Sequence, residues 1–113
     1  MNLTLSTDGT ALTLSVGGDL DYQSTGELIS AVSEALAGPA VTDLRLDFTE
    51  LAFCDSAGLS GLLLIHRRTS IAGVHLHLDN RPAQLQRILD ITGVLEHLTS
   101  RPARDEPSES GIL

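Results

Sequence analysis

Asp55-Ser56-Ala57-Gly58 is entered from the apolar run Leu51-Ala52-Phe53-Cys54 and left through Leu59-Ser60-Gly61-Leu62-Leu63-Leu64-Ile65, so one hydroxyl stands where a helix begins. Ser is a favoured N-cap residue, which predicts the Ser56 oxygen beside the unpaired N–H groups of a first helical turn, at the positive end of the helix dipole. A phosphate ester there would add roughly −1.5 to −2 charges and strong acceptor oxygens, enough to create or abolish a protein contact without altering the fold. A hydrolase would instead use Ser56 as nucleophile and one of the four His as base. That chemistry needs a strained G-x-S-x-G elbow, and Cys54 stands where its first Gly belongs. A plain helix cap, contributing about 1 kcal/mol, is the third reading. The residues point to a switch before they point to an enzyme.

Other side chains offer weaker chemistry. His75 and His77 share one face of a predicted strand, a spacing that suits a metal pair, but a wetted sheet face explains them and no metal site is expected. Cys54 lies next to a helix start, where a thiol pKa can fall, yet a small buried apolar role suits it better. Asp19 and Asp21 read as turn residues that bond their own backbone, or as part of a docking surface.

Composition excludes several functions. All seven basic residues are Arg, so a P-loop NTPase and a Schiff-base enzyme, which need a Lys, cannot be built. Receiver domains, which rely on a Lys near their phosphorylated Asp, fall for the same reason. The formal charge of −8 argues against nucleic acid and against anionic lipid as partners and favours proteins. A lone Cys, no run long enough to span a bilayer and no signal-like N-terminus give a cytoplasmic expectation.

The elements that must position Ser56 follow from periodicity. Leu3 and Leu5, then Leu12, Leu14 and Val16, alternate with polar residues around Asp8-Gly9-Thr10, which predicts an antiparallel hairpin. Leu28, Ile29, Val32 and Leu36 recur at helical spacing over residues 22–37, and Gly38-Pro39 ends the pattern. Leu44, Leu46 and Phe48 give a third strand, and a short loop through Phe53 leads to the Ser56 helix, with Leu59, Leu62, Leu63 and Ile65 on its core side. Val74, Leu76 and Leu78 give a fourth strand. Asn80-Arg81-Pro82 opens a third helix lined by Leu85, Ile88 and Leu89, with Gly93 as C-cap and Val94-Leu95-Glu96-His97-Leu98 as a last short strand or turn. The predicted order is β-β-α-β-α-β-α, a sandwich in which helices back one face of the sheet. Residues 100–113 turn polar and Pro-containing and read as a disordered tail.

Three of these segments resemble the STAS domain shared by sulfate transporters and bacterial anti-sigma factor antagonists. Gly18-Asp19-Leu20-Asp21 is similar to the family's G-E/D-L/I-D turn, Asp55-Ser56-Ala57-Gly58-Leu59 to its D-S-S/A-G-L phosphoacceptor loop, and residues 82–95 to its P-x-V-x-x-x-L-x-x-x-G-L segment. Order and spacing match over residues 1–98, so residues 1–99 are expected to form a STAS domain with a mixed sheet backed mainly on one face by helices.

The resemblance implies an antagonist, not an enzyme. Such a protein binds an anti-sigma factor with serine kinase activity, frees a sigma factor, and is switched off by phosphorylation of Ser56. ATP and Mg²⁺ would belong to the kinase, and a serine phosphatase would reset the switch. Asp19, Asp21, Asp55, Ser56, Gly58 and Leu59 are the implied partner-binding residues. Where many members have a second Ser, this chain has Ala57, so a single phosphorylation site is expected. The family's usual C-terminal amphipathic helix is hard to find in residues 100–110. A scaffold subunit of a stress-signalling or lipid-transport complex is the alternative the same loop allows.

Overall fold

Gly9 opens the first hairpin with φ 64°, the conformation that suits the first central residue of a two-residue turn, and Asp8 pairs directly with Ala11 across it. The computed structural model describes residues 1–38 and 40–93. Along these the order is β1 (Asn2–Asp8), β2 (Ala11–Leu20), α1 (Thr25–Ala37), β3 (Asp43–Asp47), β4 (Leu51–Cys54), α2 (Ser56–Ala72), β5 (His75–Asp79) and α3 (Ala83–Thr92). The expected strand or turn over residues 94–98, the expected tail over 100–113, and Pro39 of the Gly38-Pro39 stop lie outside the described residues.

The five strands form one mixed sheet in the order β1-β2-β3-β5, with β4 also on β2. β1 runs antiparallel to β2, and the other pairings are parallel. Strict alternation sends Leu12, Leu14 and Val16 of β2, Leu44 and Leu46 of β3 and Leu76 and Leu78 of β5 into a core closed by Leu28 and Val32 of α1, Leu62 and Ile65 of α2 and Leu85 and Leu89 of α3. The opposite face is wet. There Arg45 pairs with Asp79 at 3.1 Å, and His77 Nε2 lies 2.9 Å from Asp43 Oδ1 with the His75 ring stacked beside it, so both imidazoles lie on the polar face.

One strand departs from the sequence reading: Leu51–Cys54, expected as loop, is β4. Its burial runs in, out, out, in, so no period of two announces it. β2 makes room for it by a register shift at Gly18, whose φ of 83° is in the left-handed region, after which Asp19 and Leu20 pair with Phe53 and Cys54. The first helix begins at Thr25, three residues later than the periodicity predicts, because residues 21–24 close a turn of their own. Gly93 ends α3 in the left-handed conformation, as expected of a C-cap.

Candidate functional site

β2 and β4 end side by side, and their ends hold the start of α2. The Asp55 N–H donates to the Leu20 carbonyl at 3.2 Å, tying the Ser56 loop to the end of β2. The next turn packs so tightly that a Cβ on Gly58 would stand 2.4 Å from that same carbonyl oxygen and 2.9 Å from Cys54 Sγ. Only glycine allows this approach. Three residues on, a Cβ on Gly61 would meet the Thr25 methyl at 2.3 Å, so the two glycines seat α2 against β2 and α1 together.

The N-cap of α2 is Asp55, not Ser56. Asp55 has extended backbone (φ −102°, ψ −173°), and its carboxylate accepts the Gly58 N–H at 2.9 Å. Both residues are good caps by type, and the extended exit from β4 reaches Asp55 first. Ser56 therefore occupies the first helical position, where its side chain is exposed and its hydroxyl has no hydrogen-bond partner among the described residues.

On the β2 side, Asp19 is exposed, whereas Asp21 is committed to the turn before α1. The Asp21 carboxylate accepts from the Ser24 hydroxyl at 2.9 Å, the Ser24 N–H at 3.0 Å and the Gln23 N–H at 3.1 Å. The Ser24 hydroxyl, then the Ser24 N–H, hold this carboxyl below its ordinary value. Of the residues that sequence reasoning gathered, Asp19, Asp21, Asp55 and Ser56 come together at one end of the sheet. Gly58 and Leu59 lie in the same turn but are buried, so they position the loop and show little surface of their own.

Three residues at this end escaped the sequence reading. The Gln84 side chain of α3 donates to the Cys54 carbonyl at 2.9 Å and accepts the Cys54 N–H at 3.0 Å, pairing with β4 as a neighbouring strand would. No local pattern marks a Gln for that task. Tyr22 (84% exposed) and Phe53 (45%) flank the loop from the β2 and β4 sides. An unpaired aromatic in a turn was the available signal. Between α1 and α2 an apolar groove of about 430 Å³ runs from Tyr22 past Ala57 and Ser60 to Leu64. Cys54 is fully buried and desolvation pushes its thiol up to about 11, so it packs as an apolar residue. No group of three His, Cys, Asp or Glu side chains among the described residues is placed to hold a metal ion.

A five-strand mixed sheet with helices on one face has the fold of the STAS class. The family described as "Mlab, STAS domain" matches residues 3–100, and the chain belongs to it. An anti-sigma factor antagonist from Mycobacterium paratuberculosis shares the fold at a TM-score of 0.71 and 20% identity, over 85% of this chain and 80% of that one. SpoIIAA in its unphosphorylated form gives 0.66 and 21% over 80% and 83% of the two chains. The Bacillus cell fate determinant SpoIIAA in its phosphorylated form gives 0.67 and 21% over 82% and 85%. No helix among the described residues is long and apolar enough to cross a membrane.

Proposed function

We propose that this chain is an anti-sigma factor antagonist whose Ser56 end docks on an anti-sigma factor with serine kinase activity, releasing a sigma factor until that kinase phosphorylates Ser56. The observation that carries the reading is the exposed Ser56 hydroxyl at the first position of α2, without a hydrogen-bond partner among the described residues and held in place by Asp55, Gly58 and the end of β2. ATP and Mg²⁺ come with the kinase, and a serine phosphatase restores the hydroxyl. The protein itself supplies a surface and an acceptor, and catalyses nothing. This places its work in the cytoplasm, with the transcription machinery.

The sign of the switch follows from charge. Asp55 precedes Ser56 in the loop and Asp19 lies at the end of β2 that holds this loop, so a phosphate adds to the negative charge of this end. A docked partner would have to desolvate that group, which costs several kcal/mol unless a cation meets it. Contact falls to the exposed groups, Asp19, Ser56, Tyr22 and Phe53, with Asp21, Gly58 and Leu59 holding the surface in shape.

The second reading, a scaffold subunit of a stress-signalling or lipid-transport complex, is favoured by one observation: the matching family takes its description from Mlab and not from the antagonists. Affinity capture from native extract separates the two, with Ser56→Ala as bait and Ser56→Glu as comparison. A kinase-fold protein held by Ser56→Ala and lost with Ser56→Glu is the expected result. Equal recovery of a transporter or scaffold assembly by both baits would refute the switch.

A further inference from the structure

Among the described residues the sheet has a long uncovered edge. β1 pairs with β2 through seven successive residues without a bulge, and it has no neighbour on its other side among the described strands. Alternate N–H and C=O groups along that side therefore point outward. Exposed edges are ordinarily blunted by charged residues, Pro or bulges. Residues 2–7, Asn-Leu-Thr-Leu-Ser-Thr, contain none of these.

The helical layer stops short of this edge. Leu5 lies opposite Leu14 on the core face, yet Leu14 is 3% exposed and Leu5 is 51% exposed. The small side chains Ala31 and Ala35 of α1 leave a trough of about 420 Å³ over Leu3 and Leu5, and it continues into a second hollow of about 670 Å³ past Glu27 and Ser30. Glu27 and Glu34 are the charged side chains lining it, seven residues and so about 10 Å apart along the helix.

We propose that the outer edge of β1 and the trough beside it form a strand-addition site for an extended partner segment whose trough-facing side chains alternate between apolar and basic. The backbone edge would supply affinity, Leu3 and Leu5 would seat the apolar side chains, and Glu27 and Glu34 would select the cationic ones. A second copy of this chain is a poor occupant, because it brings the same two carboxylates to the trough and a formal charge of −8. The edge reaches toward the Ser56 end without sharing its loop: β1 stops pairing with β2 at Gly17, one residue before β4 begins to pair at Gly18, and Gly26 lines both the second hollow and the groove beside Ala57.

The test titrates the full chain with an end-capped nine-residue peptide that places Val and Arg in turn at alternate positions and Thr between them. Binding is followed by calorimetry and by amide chemical shifts. We expect a Kd on the order of 10 µM, in the range of small transient contacts, with shifts confined to β1 and the adjoining face of α1. Leu5→Lys, at a half-exposed position that leaves the fold intact by circular dichroism, should weaken binding at least tenfold. Glu27→Gln combined with Glu34→Gln should do the same, as should N-methylation of the peptide amides that face β1. Unchanged binding by the N-methylated peptide or by Leu5→Lys would overturn the proposal. So would a failure to bind at millimolar peptide, or a dimer in sedimentation equilibrium that Leu5→Lys dissolves, which would make a second copy the occupant.

Discussion

Gly58→Ala adds one methyl group at the tightest contact of the Ser56 loop. The new Cβ would lie 2.4 Å from the Leu20 carbonyl oxygen and 2.9 Å from Leu20 Cγ and Cys54 Sγ, distances that real Cβ atoms essentially never show. The backbone oxygen cannot simply withdraw, because it already accepts the Asp55 N–H at 3.2 Å. Overpacking of this kind costs about 1–3 kcal/mol, and the better helix propensity of Ala returns at most about 1 kcal/mol. The net expectation is a loss of roughly 1–2 kcal/mol, or a urea midpoint lower by roughly 0.5–1 M at an unchanged m value. Gly26→Ala is the internal control. Nothing lies within 4 Å of its added Cβ in α1, so the same chemical change should stabilise by about 0.5 kcal/mol or leave the midpoint unmoved. Urea unfolding followed by far-ultraviolet circular dichroism measures both. A Gly58→Ala midpoint at or above that of the unsubstituted protein would show that α2 does not need the glycine approach, and the account of how Ser56 is positioned would fail with it.

Gln84→Leu leaves the N–H and C=O of Cys54 without their side-chain partner and should destabilise by about 1–3 kcal/mol, read from the same urea curves. Asp21, Asp43 and Asp47 are held below the ordinary value of 3.8 in the folded chain, chiefly by side-chain hydrogen bonds from Ser24, His77 and Thr49 respectively. Their stabilising contribution is therefore complete above the unfolded value and disappears as pH falls through the lower folded values. Stability should decline below about pH 4, and Asp21→Asn should flatten part of that decline; an acid limb identical to that of the unsubstituted protein would contradict the assignment. With its thiol near 11, Cys54 holds about one part in a thousand as thiolate at pH 8. Iodoacetamide should label it slowly in the folded chain and quickly in urea, and equal rates would refute its burial. Ser56→Glu should unfold within about 1 kcal/mol of the unsubstituted protein. A larger loss in urea would mean that Ser56 supports the fold.

Periodicity made most of this fold legible. The hairpin around Gly9, the buried stripe of Leu28 and Val32 in α1 and the alternation of Leu44 and Leu46 with Arg45 fall where the sequence predicts them. β4 escaped for a physical reason. It is four residues long, pairs with only the last three residues of β2, and has its N–H and C=O at Cys54 satisfied by a side chain from α3. None of those conditions leaves a local trace. The cap was misplaced by one residue because Asp55 and Ser56 are equally suited by type, and only the extended direction of the chain leaving β4 decides between them. Gly58 and Leu59 sit in the recognisable loop motif, but a motif does not say which of its members face outward. Here the glycine marks a close approach inside the molecule. Asp21 shows the same limit: its turn chemistry was readable, but not that Ser24 and Gln23 would draw one carboxylate oxygen, Oδ1, into the turn before α1.

The one-residue difference between cap and hydroxyl matters for how a switch here can work. Were Ser56 the N-cap, a phosphate would disturb a bond that supports α2, worth about 1 kcal/mol, and modification would act on the fold as well as on recognition. With Asp55 holding the Gly58 N–H, the Ser56 oxygen carries no structural duty among the described residues. A phosphate at the first helical position gains about 0.3–1 kcal/mol from the helix dipole, and repulsion from the adjacent Asp55 carboxylate opposes that gain. The two effects are opposite in sign, so the change in the domain's stability is expected to stay within about 1 kcal/mol. A partner covering this end would bury about 800 Å² per side in an interface of ordinary size, and it would meet nearly two extra charges at its centre. The cost falls on the complex alone. The geometry thus separates the residue that holds the helix, Asp55, from the exposed hydroxyl of Ser56, which is the arrangement the proposed docking switch requires.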